Sequence, residues 1–237
     1  MFEQLRQDVF EANMKLAAYG LAPLTWGNAS GIDRSAGIVA IKASGIPYEE
    51  MSPEDLVLLD LDGKVVEGSR RPSSDTATHL VLYRAFSEIG GVAHTHSAAA
   101  TAWAQARRSI PPLGTTHADS FYGSVPCTPL LSREEIEGEY TKNTGYLIVK
   151  TFAGIRPLDI PAVLVAGHGP FTWGKNAAQA VENSVILEEV AKIALNTLTL
   201  DPAAPYMQQE LLDRHYFRKH GPGATYGQKS DAGSPKK

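Results

Sequence analysis

Two short apolar runs, GVAHTHS at 91–97 and PAVLVAG at 161–167, constrain this chain most. Each reads as a buried strand, and a helical pattern follows each within a few residues. Behind the first comes AAATAWAQA. Behind the second, FTWGKN reads as a turn back, and then AAQAVENSVILEEVAKIALNTL (177–198) gives the strongest helical pattern in the chain. Short strands set between helices imply one α/β domain. With 237 residues, 43% of them hydrophobic and 20% charged, the chain has the material for one sizeable core.

The remaining segments fit that frame. Phe2, Leu5, Val9, Ala12 and Leu16 recur at helical spacing until Gly20 stops them. TWGNASGID (25–33) reads as a loop. GIVAIK (37–42) reads as a strand, and LVLLDLDGKVVEG (56–68) as a hairpin turning at Asp62-Gly63. In RRPSSDTATHLVLYRAF, Ser74 or Asp75 can cap a helix whose face is Leu80, Tyr83 and Phe86. Ser132-x-x-Glu135 is a capping-box pattern. PYMQQELLDRHYFRKHG makes a last helix ending at Gly221. The domain is therefore expected over 1–221, with a tail at 222–237.

Net charge is −4, which points to neither nucleic acid nor an anionic membrane as partner. The N-terminal segment is charged throughout and lacks a signal-peptide core, and no run approaches the ~18 apolar residues of a membrane span. Cys127 is the only cysteine, so no intrachain disulfide forms, and a cytoplasmic setting is expected.

On a strand, His94 and His96 point to one face and Thr95 to the other. Two ligands of one metal and two hydrogen-bonded core histidines are both open readings, and for the pair alone the second is the commoner. His168 shifts the balance. It follows the other apolar strand directly, and adjacent strands would bring it beside the pair. Three neutral histidines leave one position for substrate, the catalytic form of a zinc site. His79 lies four residues after Asp75 on one helix face, where packing is commoner than ligation. Gly27-Asn28, Ser44-Gly45 and Ser73-Ser74 form three loops rich in small donors, and the last precedes a helix start that favours an anion. Lys42 lies near the second. Each loop can equally be an ordinary turn, but with a divalent metal the three suit a phosphorylated polar substrate. Asp75 fits a fourth ligand, a base or an ordinary helix-start carboxylate. No GxGxxG motif indicates a nicotinamide cofactor.

Taken together, LTWGNAS (24–30), IKASG (41–45), RRPSSDTATH (70–79), HTHS (94–97), GTTHADSFYG (114–123), VPCT (125–128), GHGPFTWGKN (167–176), LLDRHYFRKHG (211–221) and YGQ (226–228) resemble the class II aldolase/adducin family, and its epimerase branch in particular. The resemblance implies a three-layer αβα fold around a mixed, mostly antiparallel sheet, and a homotetramer with sites at subunit boundaries. It implies one zinc per chain, with manganese as the alternative, on His94, His96 and His168, and with Asp75 on or near the metal. It places Gly27, Asn28, Ser44, Gly45, Ser73 and Ser74 at a phosphorylated ketopentose. It makes Asp119 and Tyr226 the catalytic proton donor and acceptor, a role the residues alone do not single out. Lys42, Thr115 and His215 match as supporting residues. The implied reaction interconverts L-ribulose 5-phosphate and D-xylulose 5-phosphate by breaking and remaking C3–C4, in arabinose or ascorbate use. Aldolases of the family tend to carry glutamate at position 75, where this chain has Asp75. An aldolase that releases its aldehyde and an adducin-like binding module are the competing readings.

Overall fold

The computed structural model describes residues 2–222 together with 224 and 225. Helix α1 (Glu3–Ala18) forms on the expected spacing, burying Val9, Ala12 and Leu16, and the chain leaves it through Gly20 at a φ of 68°. After it come β1 (Asn28–Asp33), β2 (Ile38–Ile41), β3 (Val57–Asp60) and β4 (Val65–Glu67), which pair in succession as an antiparallel meander. The hairpin between β3 and β4 turns where Asp62-Gly63 predicts it.

Helix α2 (Thr76–Ala85) then returns the chain across the meander, and β5 (Gly91–His94) pairs with the free side of β1. Helices α3 (Ala98–Gln105), α4 (Thr115–Ala118), α5 (Arg133–Glu137) and α6 (Tyr140–Thr151) follow. Ser132 and Glu135 form the expected capping box at the start of α5. The strands β6 (Ala162–Val165) and β7 (Gly169–Gly174) complete the sheet, and α7 (Ala177–Leu200) and α8 (Gln209–His220) end the described fold.

The sheet order is β4-β3-β2-β1-β5-β7-β6. All pairings between these strands are antiparallel, and an isolated parallel bridge, Cys127 to Leu164, adds the mixed element at the β6 edge. One face carries Ala29, Ala40, Leu58 and Ala93 under α1 and the first half of α7. The other carries Val39, Val92, Phe171 and Trp173 under α2 and α6, where Phe86, Phe152 and Trp173 pack with ring centroids 4.9–5.8 Å apart. Helices above and below one sheet make three layers. Among the described residues no helix is long and apolar enough to cross a membrane.

Three segments depart from their sequence expectations. NASGID is not a loop from Asn28 onward but the central strand β1, hydrogen-bonded on both sides. Its small residues hide the strand pattern yet explain its place: a Cβ at Gly31 would sit 2.8 Å from a Val9 methyl, so glycine lets α1 lie close on the sheet. GPFTWG is likewise a buried strand, β7, rather than a turn, because it pairs with both β5 and β6. The last helix also starts later than its pattern, at Gln209, leaving Tyr206 exposed.

Candidate metal and substrate cleft

His94 ends β5 on the α2 side of the sheet. Its Nδ1 lies 2.9 Å from the Pro170 carbonyl oxygen, and its ring stacks on Phe171 at 4.2 Å. A carbonyl only accepts, so Nδ1 carries the proton and Nε2 presents a lone pair to the cleft. The strand stops at His94, earlier than GVAHTHS suggests, yet His96 still turns back, with its Nε2 3.1 Å from that of His94.

His168 arrives by a different route from the one expected. The strand it follows, β6, is not the neighbour of β5, because β7 lies between them. A tight turn, closed by the His168 N–H donating to the Val165 carbonyl at 3.0 Å, passes the chain from β6 into β7. His168 therefore stands at the start of β7, beside the end of β5. Its ring centroid is 4.7 Å from that of His94 and 5.1 Å from that of His96, and one nitrogen from each of the three rings lies within 4.8 Å of the others. Burial first, and then the neighbouring histidine charges, push His168 down to about 4, and burial with His94 lowers His96. Neutral imidazoles are the ligating form. The 3.1 Å nitrogen separation is close to the roughly 3.3 Å edge of a tetrahedron with zinc–nitrogen bonds of about 2.0 Å. The three rings thus supply a donor set suited to holding one divalent ion.

Asp75 takes the N-cap position of α2 without capping it. Its Oδ2 instead accepts from Asn28 Nδ2 at 2.7 Å. Burial alone would raise this carboxyl, but its electrostatic interactions with His94 and His79, the Asn28 hydrogen bond and His168 outweigh it and hold it low. Asn28 faces His94 in the β1–β5 register, and its Oδ1 is buried without a partner among the described residues. Gly27 before it has a φ of 70°, and a Cβ there would lie 2.7 Å from the His94 carbonyl oxygen. His79 is fully buried, with Nδ1 2.7 Å from Ser30 Oγ, and desolvation takes it down to about 3. It belongs to the packing between α2 and β1.

The two serine loops are laced together. Ser44 N–H donates to the Arg71 carbonyl, Ser73 N–H donates to the Lys42 carbonyl, and Ala43 bridges Pro72. Lys42 is 1% exposed, and its Nζ donates to the Ile46 carbonyl at 2.8 Å while lying 4.9 Å from the Tyr48 ring. Burial lowers its pKa. It ties down the turn that carries Ser44 and Gly45. All of Gly27, Asn28, Ser44, Gly45, Ser73, Ser74, Asp75, His94, His96 and His168 line one cleft of about 660 Å³. Tyr140, which no sequence signal singles out because the polar start of α6 hides that helix, lines it too, with Oη 3.3 Å from His168 Nδ1.

Asp119 does not line this cleft. It caps the C-terminus of α4 and borders a separate cleft with Tyr122, Tyr216 and Lys219. Its side chain accepts from His215 at 3.0 Å, from Arg218 at 3.0 and 3.1 Å, and from Lys219 at 3.3 Å. Burial pushes its pKa up, but these hydrogen bonds and the Lys219 charge prevail and lower it. Thr115 begins the same short helix. Tyr226 lies outside the described residues.

The chain is similar to known proteins in both sequence and fold. The chain is 56% identical over 227 residues to the L-ribulose-5-phosphate 4-epimerase UlaF of Salmonella paratyphi C (strain RKS4594), covering 96% of this chain and all of that one. Its fold matches an L-fuculose 1-phosphate aldolase with a TM-score of 0.76 at 27% identity, covering 92% of this chain and 97% of the other. It also matches the L-fuculose-1-phosphate aldolase of Thermus thermophilus with a TM-score of 0.67 at 24% identity, over 86% and 100%. Residues 7–195 match the model of the Class II Aldolase and Adducin N-terminal domain. With its histidine triad at the sheet's end, the chain belongs to the class II aldolase and adducin family.

Proposed function

We propose that this protein is a metal-dependent epimerase that interconverts L-ribulose 5-phosphate and D-xylulose 5-phosphate by cleaving and re-forming C3–C4. The observation that carries this reading is the histidine triad sharing one cleft with the laced serine loops, in a chain alike over nearly its whole length to a 4-epimerase. The two sugars differ only at C4. The C4 hydrogen is β to the C2 ketone, so its removal gives no stabilised anion. Oxidation at C4 would need a hydride acceptor, for which the sequence carries no binding motif. Breaking C3–C4 avoids both obstacles.

His94, His96 and His168 would hold one zinc ion, with Asp75 beside it. Bound there, the ion supplies Lewis acidity that stabilises negative charge on the oxygens of the three-carbon fragment. The chain's own groups do the rest. The Ser44-Gly45 and Ser73-Ser74 loops hold the phosphate, so the two-carbon aldehyde stays bound while its carbonyl face turns over. Asn28 Oδ1 accepts a hydrogen bond from a substrate hydroxyl. Each epimer needs a proton donor and acceptor on its own side of C4. Asp119 and Tyr226 fill these roles from a neighbouring copy in a homotetramer. The place of Asp119, on a different cleft from the triad, supports that arrangement.

The deciding experiment incubates the zinc-loaded protein with L-ribulose 5-phosphate. D-xylulose 5-phosphate is the expected product. Release of dihydroxyacetone and glycolaldehyde phosphate would make the protein an aldolase, and no turnover at all would reject both.

A further inference from the structure

Glu188 is a charged residue on an apolar stripe. Along α7 it stands with Val181, Ser184, Leu187 and Ala191 on the buried side and is only 3% exposed. Both of its carboxylate oxygens are used. Oε1 accepts from the Ala99 N–H and Oε2 from the Ala100 N–H, each at 2.9 Å. These are free donors of the first turn of α3. Ser97 holds the N-cap position of that helix, but its side chain makes no capping bond. The carboxylate on α7 caps α3 from outside, where a negative charge complements the helix dipole. Lys192, half exposed, lies 3.8 Å from Oε1 on the solvent side.

The capped helix joins two of the three histidines. Its first turn begins just past His96 and Ser97. Near its other end the Ala104 carbonyl accepts from the Gly167 N–H at 3.0 Å, one residue before His168. A shift of α3 along α7 would therefore move both rings relative to His94, which β5 holds independently.

We infer that Glu188 is a positioning residue for the metal site, fixing α3 so that His96 and His168 meet His94 at ligating distance. This rests on the metal-dependent reading above. In Glu188→Gln the amide keeps one acceptor and sets an NH₂ group against the other N–H, so the two-point grip is lost while the side chain keeps its size.

The test measures Co²⁺ affinity by chelator competition and records the visible spectrum of the Co²⁺-loaded protein. It compares wild type, Glu188→Gln and Val9→Ala, a core truncation under α1 that lowers stability away from α3. Glu188→Gln is expected to weaken Co²⁺ binding about tenfold or more, as outer partners of metal ligands do, and to alter the spectrum. Val9→Ala should lower the melting temperature yet bind Co²⁺ as wild type does. Wild-type affinity and spectrum in Glu188→Gln would overturn the inference, as would an equal loss of affinity in Val9→Ala. If Glu188→Gln does not fold, Ala99→Pro removes one of the two donors at a first-turn position and is held to the same outcomes. A wild-type chain that binds no Co²⁺ overturns the metal reading itself.

Discussion

The histidine cleft and the Asp119 cleft are built in opposite ways. The first is made of strand ends and loops bonded through their backbones: Asn28 opposite His94 in register, Ser44 and Ser73 laced across Ala43 and Pro72. In the second, side chains hold the key group: Asp119, at the end of α4, is gripped by His215, Arg218 and Lys219 from α8. The first collects the proposed metal ligands and phosphate donors, and the second presents the Asp119 carboxylate among three basic side chains. Groups that must hold fixed geometry sit on the sheet, and the group assigned to proton transfer sits on the helical rim, where another copy can reach it.

Three experiments break or sharpen that contrast. The largest effect is expected from His96→Asn. Its ring is only half buried, so circular dichroism should be unchanged. Metal content should vanish, and activity should fall by more than the roughly 100-fold typical of outer-shell changes. A fully active, metal-free variant would remove the cleft from the mechanism.

Next is Asp119→Asn, expected to keep its metal and lose on the order of 10² to 10⁴ in turnover as an acid–base residue. Co-expressing it with His96→Asn separates the two clefts directly. If the clefts meet across a subunit boundary in a ring, random mixing at equal amounts restores roughly a quarter of the sites. Tyr226→Phe in place of Asp119→Asn should give the same recovery. Mixed tetramers that stay as inactive as either parent would place both halves of the site in one chain.

The smallest effect is expected from Ser74→Ala. A serine holding the phosphate equally in ground and transition states should raise KM by about tenfold and leave kcat nearly intact. A collapsed kcat with unchanged KM would move Ser74 from binding to chemistry.

Much of the molecule is legible in the residues. Periodicity finds α1, α3 and α7, and turn chemistry finds the β3–β4 hairpin. The two short apolar runs, GVAHTHS and PAVLVAG, announce β5 and β6. What stays hidden is set by partners rather than by local preference. β1 has almost no β-branched residues and is a strand because β2 and β5 flank it. β7 contains Gly169, Pro170 and Gly174 and looks like a turn for that reason. Missing it gives the wrong route for His168 even though its destination agrees. In α6 the polar TKNT start obscures the helix and with it Tyr140. Glu188 has a visible signal, a carboxylate on the apolar face of the strongest helix, but its partners on α3 can be known only from the fold. Asp119 can be named from resemblance, whereas its grip by α8 depends on contacts 96 to 100 residues apart in the chain.

The register of Asn28 against His94 also governs how chains of this design can change length over time. Side chains on a strand alternate faces, so inserting or deleting one residue within β1 or β5 would send Asn28 or His94 into the layer beneath α1 and α7. No neighbouring substitution could restore the lost face. The hairpin between β3 and β4 lies at the far edge of the sheet, and β4 itself is exposed. Gains and losses of residues should therefore accumulate at 61–64 among descendants of this sequence, while 28–33 and 91–94 keep constant length even where their residues drift.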